Sequence, residues 1–181
     1  MTADKADDGY LMSRLAEGDM GALGDLVRRH QQAAAAFAFR MLGRRDAVDD
    51  VVQEAFLHVH RAARRYQPDA KFTTWLYSIV VNLCRDAGRR ARRAHAHLSE
   101  GAAPSLGPPA DPLEARERAE RVRSAVDALP DRQRTAVLLH RYQGLSHREV
   151  AQATGWSESA VESLIVRAYA TLRQELADLK E

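Results

Sequence analysis

The sequence predicts an all-α protein, two small helical domains joined by a proline- and glycine-rich linker. Three observations carry that prediction. The strong helix formers Ala, Leu, Arg and Glu recur throughout, while Thr, Ile and aromatic residues are sparse. Apolar residues return every three or four positions, the spacing of a helix with one buried face. The stretch Gly101 to Pro112 reads GAAPSLGPPADP, with four prolines, two glycines and little that packs. The chain therefore divides into a domain at 1–95, a flexible linker at 96–112 and a second domain at 113–181, each domain of workable size.

In the first domain, Leu11 and Leu15, then Leu23, Leu26 and Val27, predict two helices broken near Gly18 and Asp19. Gln31 to Leu42 continues as an alanine-rich helix carrying Phe37, Phe39 and Met41. A third helix starts at Asp46, with Val48, Val51, Val52, Ala55, Phe56 and Val59 on one stripe. A fourth places Phe72, Trp75, Leu76, Ile79, Val80, Leu83 and Ala87 on the same schedule. Between these two, Arg64 to Lys71 contains Gln67-Pro68-Asp69 and is predicted to be a loop.

The second domain opens with Asp111 as N-cap and Pro112 as first helical residue of a helix that continues over Leu113 to Leu129. Pro130-Asp131 starts another helix that reaches about Tyr142, and Gln143-Gly144 turns the chain. Ser146-His147-Arg148-Glu149 matches the capping box, in which Ser and Glu satisfy each other's end-of-helix amides. The short helix it opens carries Val150 and Ala151, and Gly155 stands where the chain must reverse. Ser157 caps a last helix with the stripe Val161, Leu164, Ile165, Ala168, Leu172, Leu176 and Leu179. Small Ala, turn Gly and packing Val at these positions form the pattern of a DNA-binding helix-turn-helix; a plain helical hairpin is the alternative. As a DNA reader, the last helix would present Ser157, Glu158, Ser159, Ala160, Glu162, Ser163 and Arg167 to the groove. Glu158 and Glu162 sit badly beside phosphate, so this helix needs a partner that supplies affinity.

Charge is informative by position. Residues 1–95 carry 16 basic against 12 acidic side chains, whereas 114–181 balance at 11 each. The excess gathers in Arg85, Arg89, Arg90, Arg92 and Arg93, which suits either phosphate neutralisation or a solvated helix end. On the third helix, Asp46, Asp49, Asp50, Gln53 and Glu54 form an acidic face, either simply solvated or matched to a basic protein surface. On the fourth, Asn82, Arg85 and Arg89 lie opposite the apolar stripe; periodicity places Phe72 and Trp75 in the core.

Other classes find little support. No stretch approaches the roughly 20 apolar residues of a membrane span. The acidic, polar N-terminus does not resemble a secretory signal, and the single cysteine, Cys84, permits no internal disulfide, which fits a reducing cytoplasm. His58 and His60 point apart on a helix, and His95 and His97 lack companion ligands, so neither metal nor cofactor is expected. No phosphate-cradling loop or nucleophile elbow appears, and no enzyme activity is expected.

Three motifs in order resemble the bacterial sigma factors of the extracytoplasmic-function (ECF) group. Asp46-Ala-Val-Asp-Asp-Val-Val-Gln-Glu-Ala-Phe56 resembles the family's polymerase-binding motif, in sigma region 2. The resemblance implies that Asp46, Asp49, Asp50, Val52, Gln53 and Glu54 bind core RNA polymerase. Phe72-Thr-Thr-Trp-Leu-Tyr-Ser-Ile-Val-Val-Asn-Leu-Cys-Arg-Asp86 resembles the promoter-melting helix. It implies a −10 strand contact through Arg64, Tyr66, Lys71, Phe72, Trp75, Asn82, Arg85 and Arg89. Leu129-Pro-Asp-Arg-Gln-Arg134, with Gly144-Leu-Ser146 and the helix-turn-helix, resembles sigma region 4, which reads −35 DNA. The family usually has a basic residue where this chain has Glu162. The resemblance further implies promoter DNA as a partner and control by an anti-sigma protein. A decoy that titrates an anti-sigma protein without reading DNA, and a conventional activator or repressor, are the competing expectations.

Overall fold

A computed structural model describes residues 7–67, 71–95 and 113–180. Among the described residues there are helices and connections only, with no strand. In the first half, α1 (Asp8–Ala16), α2 (Met20–Leu42), α3 (Val48–Ala62) and α4 (Phe72–His95) pack around one core. The Asp19 carboxylate accepts the Gly21 amide at 2.8 Å and caps α2, while Gly43, in the left-handed region at φ 68°, ends it. Fully buried Ala34, Ala38 and Ala55 let helices approach closely, and Leu26, Phe37, Val59, Leu76 and Val80 fill the space between them. Each such large side chain contributes about 1.5–3 kcal/mol by leaving water. The Asp8 carboxylate ties α1 to α2 by accepting from Arg29 at 3.1 Å and meeting His30 Nε2 at 2.9 Å.

The second half contains α5 (Leu113–Asp127), α6 (Asp131–Val137), α7 (His147–Thr154) and α8 (Glu158–Glu175). α6 runs on into a π-helical turn, Leu138–Tyr142, whose His140 Nδ1 lies 2.7 Å from the Leu145 carbonyl. Val137 and Ala168, with Leu129 from the turn before α6, close the contact between α6 and α8, and Val150, Ala153, Val161 and Ile165 close that between α7 and α8.

Several boundaries differ from expectation. The third helix begins at Val48, two residues late, because the Arg44 guanidinium holds the Asp46 carboxylate in the turn ahead of it. Arg64 and Arg65 belong to a 3-10 turn, Ala63–Arg65, that continues α3, so the predicted loop is shorter at its start. α5 ends at Asp127, and Leu176 lies just past the end of α8. The predicted linker at 96–112, the Asp111-Pro112 cap, residues 68–70 and the side chain of Leu179 lie outside the described residues.

The larger difference concerns α4, for which one apolar stripe was expected. Phe72, Leu76 and Val80 are buried, whereas Trp75, Ile79, Leu83 and Ala87 are half-buried. A second stripe, Tyr77, Val81 and Cys84, is buried as well, at the i, i+4, i+7 spacing of a separate face. α4 packs along α7 with this face, so both halves share one continuous apolar core. A helix with apolar residues on two faces has two partners to bury them against.

Candidate polymerase and nucleic-acid interfaces

The acidic surface grows from the start of α3. Asp46, Asp49, Asp50 and Gln53 are exposed, and Val52 and Glu54 are half-buried beside them. Asp46 is not a free charge: its hydrogen bond from Arg44, Nε to Oδ1 at 2.7 Å, holds the carboxyl below the usual range and raises the arginine. Glu54 accepts from Arg61 at 3.0 Å and meets His58 at 3.2 Å. Next to Asp49 and Gln53, a groove of about 750 Å³ runs between α2 and α3, floored by Leu23, Val27, Val52, Phe56 and the exposed Leu57. An apolar groove with a carboxylate rim is suited to a basic, amphipathic protein surface. The sequence reading found the rim and missed the groove, whose signal was the pair Leu23 and Val27 beside Leu57.

The predicted −10 residues fall into three sets. Tyr66, Phe72 and Trp75 form one aromatic cluster, with Tyr66 and Trp75 ring centres 4.9 Å apart and Phe72 and Trp75 6.0 Å apart. Phe72 is buried against His30 as well, so it supports the cluster from beneath. Burial, then Asp7 and Asp8, raises the Tyr66 phenol above its ordinary value, which keeps it a neutral hydroxyl. Arg64, Asn82 and Arg89 are exposed, and the Arg89 guanidinium is paired with Asp86.

Lys71 and Arg85 are placed differently. Lys71 Nζ lies 3.0 Å from Glu149, at the start of α7. The Arg85 guanidinium stacks on the Trp156 ring at 5.0 Å, and Arg132 takes the same ring at 4.6 Å. Burial, then Arg132 and Arg89, lowers the Arg85 pKa from its ordinary value. Trp156 was absent from the sequence reading, and Arg132 stood there only within the region 4 motif, with no role of its own; an aromatic residue beside the turn Gly155 was the available signal.

The helix-turn-helix has the predicted local chemistry. Ser146 Oγ accepts the Glu149 amide at 3.2 Å, and the Glu149 carboxylate accepts the Ser146 amide at 2.8 Å. The Ser146 backbone amide, then Lys71 and the Ser146 hydroxyl, hold the Glu149 carboxyl down at about 2. Gly155 turns the chain at φ 72°, a conformation that strains any residue with a Cβ. On α8, Ser157, Glu158, Ser159, Glu162, Ser163 and Arg167 are exposed and Ala160 half-buried. Ser157 Oγ is engaged in capping, accepting the Ala160 amide at 3.2 Å, and Arg167 Nε donates to the Ser163 carbonyl at 3.1 Å. Val166, 63% exposed, adds an apolar contact to this face that the sequence reading left out.

No helix among the described residues is long and apolar enough to cross a membrane. Residues 26–94 match the family model of sigma-70 region 2, and residues 119–172 that of sigma-70 region 4. The chain is 36% identical to the ECF RNA polymerase sigma factor SigM of Mycobacterium tuberculosis, over 95% of this chain and 86% of that protein. It is 33% identical to the ECF RNA polymerase sigma-E factor of Escherichia coli strain K12, over 92% of each. Among solved structures, CnrH in complex with the cytosolic domain of CnrY is similar at 32% identity and a TM-score of 0.70, covering 96% of this chain and 99% of that one.

Proposed function

The chain belongs to the ECF RNA polymerase sigma factors, and from that membership we propose that α3 meets core polymerase, α4 and the segment before it take the −10 strand, and α8 reads the −35 duplex. It is a transcription-initiation factor and not an enzyme; the chemistry of RNA synthesis belongs to the polymerase. The polymerase contact is assigned to Asp46, Asp49, Asp50, Val52, Gln53 and Glu54, with the α2–α3 groove beside them. The −10 contact is assigned to Arg64, Tyr66, Lys71, Asn82, Arg85 and Arg89, over Phe72 and Trp75. Single strands are held by aromatic stacking and cationic tracks, and this surface offers both. Ser157, Glu158, Ser159, Ala160, Glu162, Ser163 and Arg167 make the −35 contact. Because Glu158 and Glu162 oppose phosphate, polymerase supplies the affinity that α8 lacks.

The division into 1–95, 96–112 and 113–181 follows the same assignment, with the linker tethering two DNA-reading units. The factor works in the cytoplasm, where its polymerase acts. An anti-sigma protein controls it, a proposal that the complex of CnrH with the CnrY cytosolic domain supports by likeness. The observation that carries the proposal is the presence, in one chain, of an exposed acidic α3 face and a capped helix-turn-helix with an exposed α8. In vitro transcription from a randomised promoter library, with purified core polymerase, tests it. Transcripts sharing a −10 and a −35 element are expected. Their absence, with a control factor active, would leave a decoy that binds an anti-sigma protein.

A further inference from the structure

The aromatic cluster assigned to the −10 strand rests on a charged pair where α1, α2 and α4 meet. Asp8, the first residue of α1, accepts from Arg29 at 3.1 Å with one carboxylate oxygen and meets His30 Nε2 at 2.9 Å with the other. The half-buried His30 ring packs on Phe72, with ring centres 5.1 Å apart. Phe72 in turn touches Tyr66 and Trp75, at 6.5 and 6.0 Å. A chain of contacts therefore runs from the Asp8 carboxylate through one imidazole to the rings assigned to base stacking. Asp7 and Asp8 also act on the cluster through space: after burial, they are what raises the Tyr66 phenol.

We propose that His30 is a proton-sensitive positioning residue for strand capture. Its imidazolium, held by Asp8, fixes Phe72 and with it the stacking faces of Tyr66 and Trp75, so protonation of His30 tightens the hold on the −10 strand. The proposal rests on the assignment of Tyr66, Phe72 and Trp75 to that strand.

Two effects of the proton have the same sign. As a neutral ring, His30 gives Asp8 a hydrogen bond; as an imidazolium it adds an ion pair and sets a cation against the Phe72 ring. The added charge also acts on the strand itself. Asp7 and Asp8 put negative charge beside Tyr66, where a phosphate would be repelled, and a charged His30 joins Arg29 in balancing the two. The charged and titratable groups at this spot are Asp7 and Asp8 at the start of α1, Arg29 on the helix of His30, and the Tyr66 phenol. α4 brings the Phe72 and Trp75 rings, and its neighbouring Lys71 is turned to Glu149.

Two measurements on the full chain test this. In the first, its complex with core polymerase is titrated with a fluorescent single strand of randomised sequence, from about pH 6 to about pH 8, the range in which histidine side chains change charge. Wild type is expected to lose about fivefold in affinity as pH rises, an ordinary size for coupling between two sites. His30→Gln keeps a donor for Asp8 and cannot gain a proton, so its affinity is expected to stay level. Parallel pH profiles for the two proteins would overturn the proposal, because a His30 that only holds α1 on α2 shifts the curve without changing its slope. The second measurement needs no DNA. In a Trp156→Phe background Trp75 is the only tryptophan, and its emission reports the setting of the cluster. That emission is expected to shift over the same pH range with His30 in place and to stay constant in His30→Gln. Emission that ignores pH in both chains would overturn the route through Phe72. If the emission shifts with His30 and no strand binds at any pH, the mount stands, the strand assignment falls, and the coupling falls with it.

Discussion

Glu149 serves two contacts, and separating them gives a quantitative prediction. Its carboxylate completes the capping box of α7 and also meets Lys71, across the seam between the halves. Glu149→Ala removes both: about 1 kcal/mol for the cap, plus roughly 0.2–1 kcal/mol for an ion pair whose lysine is largely exposed. Glu149→Gln keeps an oxygen for the Ser146 amide and loses only the charge, so it costs roughly 0.2–1 kcal/mol. For a chain of this size each kcal/mol lowers the melting temperature by about 2–4 °C. The carboxyl is depressed from its ordinary 4.5 to about 2, so its contribution is full above pH 4.5 and is lost as pH falls toward 2. Thermal unfolding followed by circular dichroism should show wild type above Glu149→Gln, and Glu149→Gln above Glu149→Ala, at neutral pH. The gap between wild type and Glu149→Gln should close in acid and in about 1 M salt. A Glu149→Ala variant as stable as wild type would refute the capping argument. A wild-type to Glu149→Gln gap that ignores both salt and Lys71→Ala would refute the ion pair.

Three further outcomes follow from the same surfaces. Replacing Asp49 and Asp50 with Arg should weaken core polymerase binding about tenfold or more, measured by fluorescence competition, with helix content unchanged because both side chains are exposed. Asn82→Ala should leave polymerase affinity intact and lower strand opening about tenfold, read by permanganate reactivity of −10 thymines. Glu162→Lys, on the exposed face of α8, should tighten duplex binding and steepen its salt dependence by about one unit of log–log slope; an unchanged slope would place Glu162 away from phosphate.

Much of the fold was legible because the signals are local. The stripes of α3 and α4, the capping box at Ser146 and the turn at Gly155 each depend on residues within a few positions of one another. The acidic side chains of α3 were found by the same logic, since they simply remain when the apolar stripe is removed. The second buried stripe of α4 escaped because periodicity was used to find one face, and Tyr77, Val81 and Cys84 interleave with the residues of that face. Their partner, α7, lies about 70 residues away in sequence, and no local pattern names it. The same distance conceals Trp156 as the seat of Arg85: a tryptophan after a turn glycine has many uses, and only the packing of α4 on α7 selects one. The π turn at Leu138–Tyr142 was also unread, because it alters the hydrogen-bond register without disturbing the apolar pattern.

The most direct test of the functional assignment is strand opening on a promoter selected from the library, with core polymerase, the chain, or both. A sigma factor with these surfaces gives permanganate-reactive thymines in the −10 element only when both proteins are present, together with protection of the −35 duplex. Equal reactivity with core polymerase alone, or polymerase binding without any opened promoter, would contradict it.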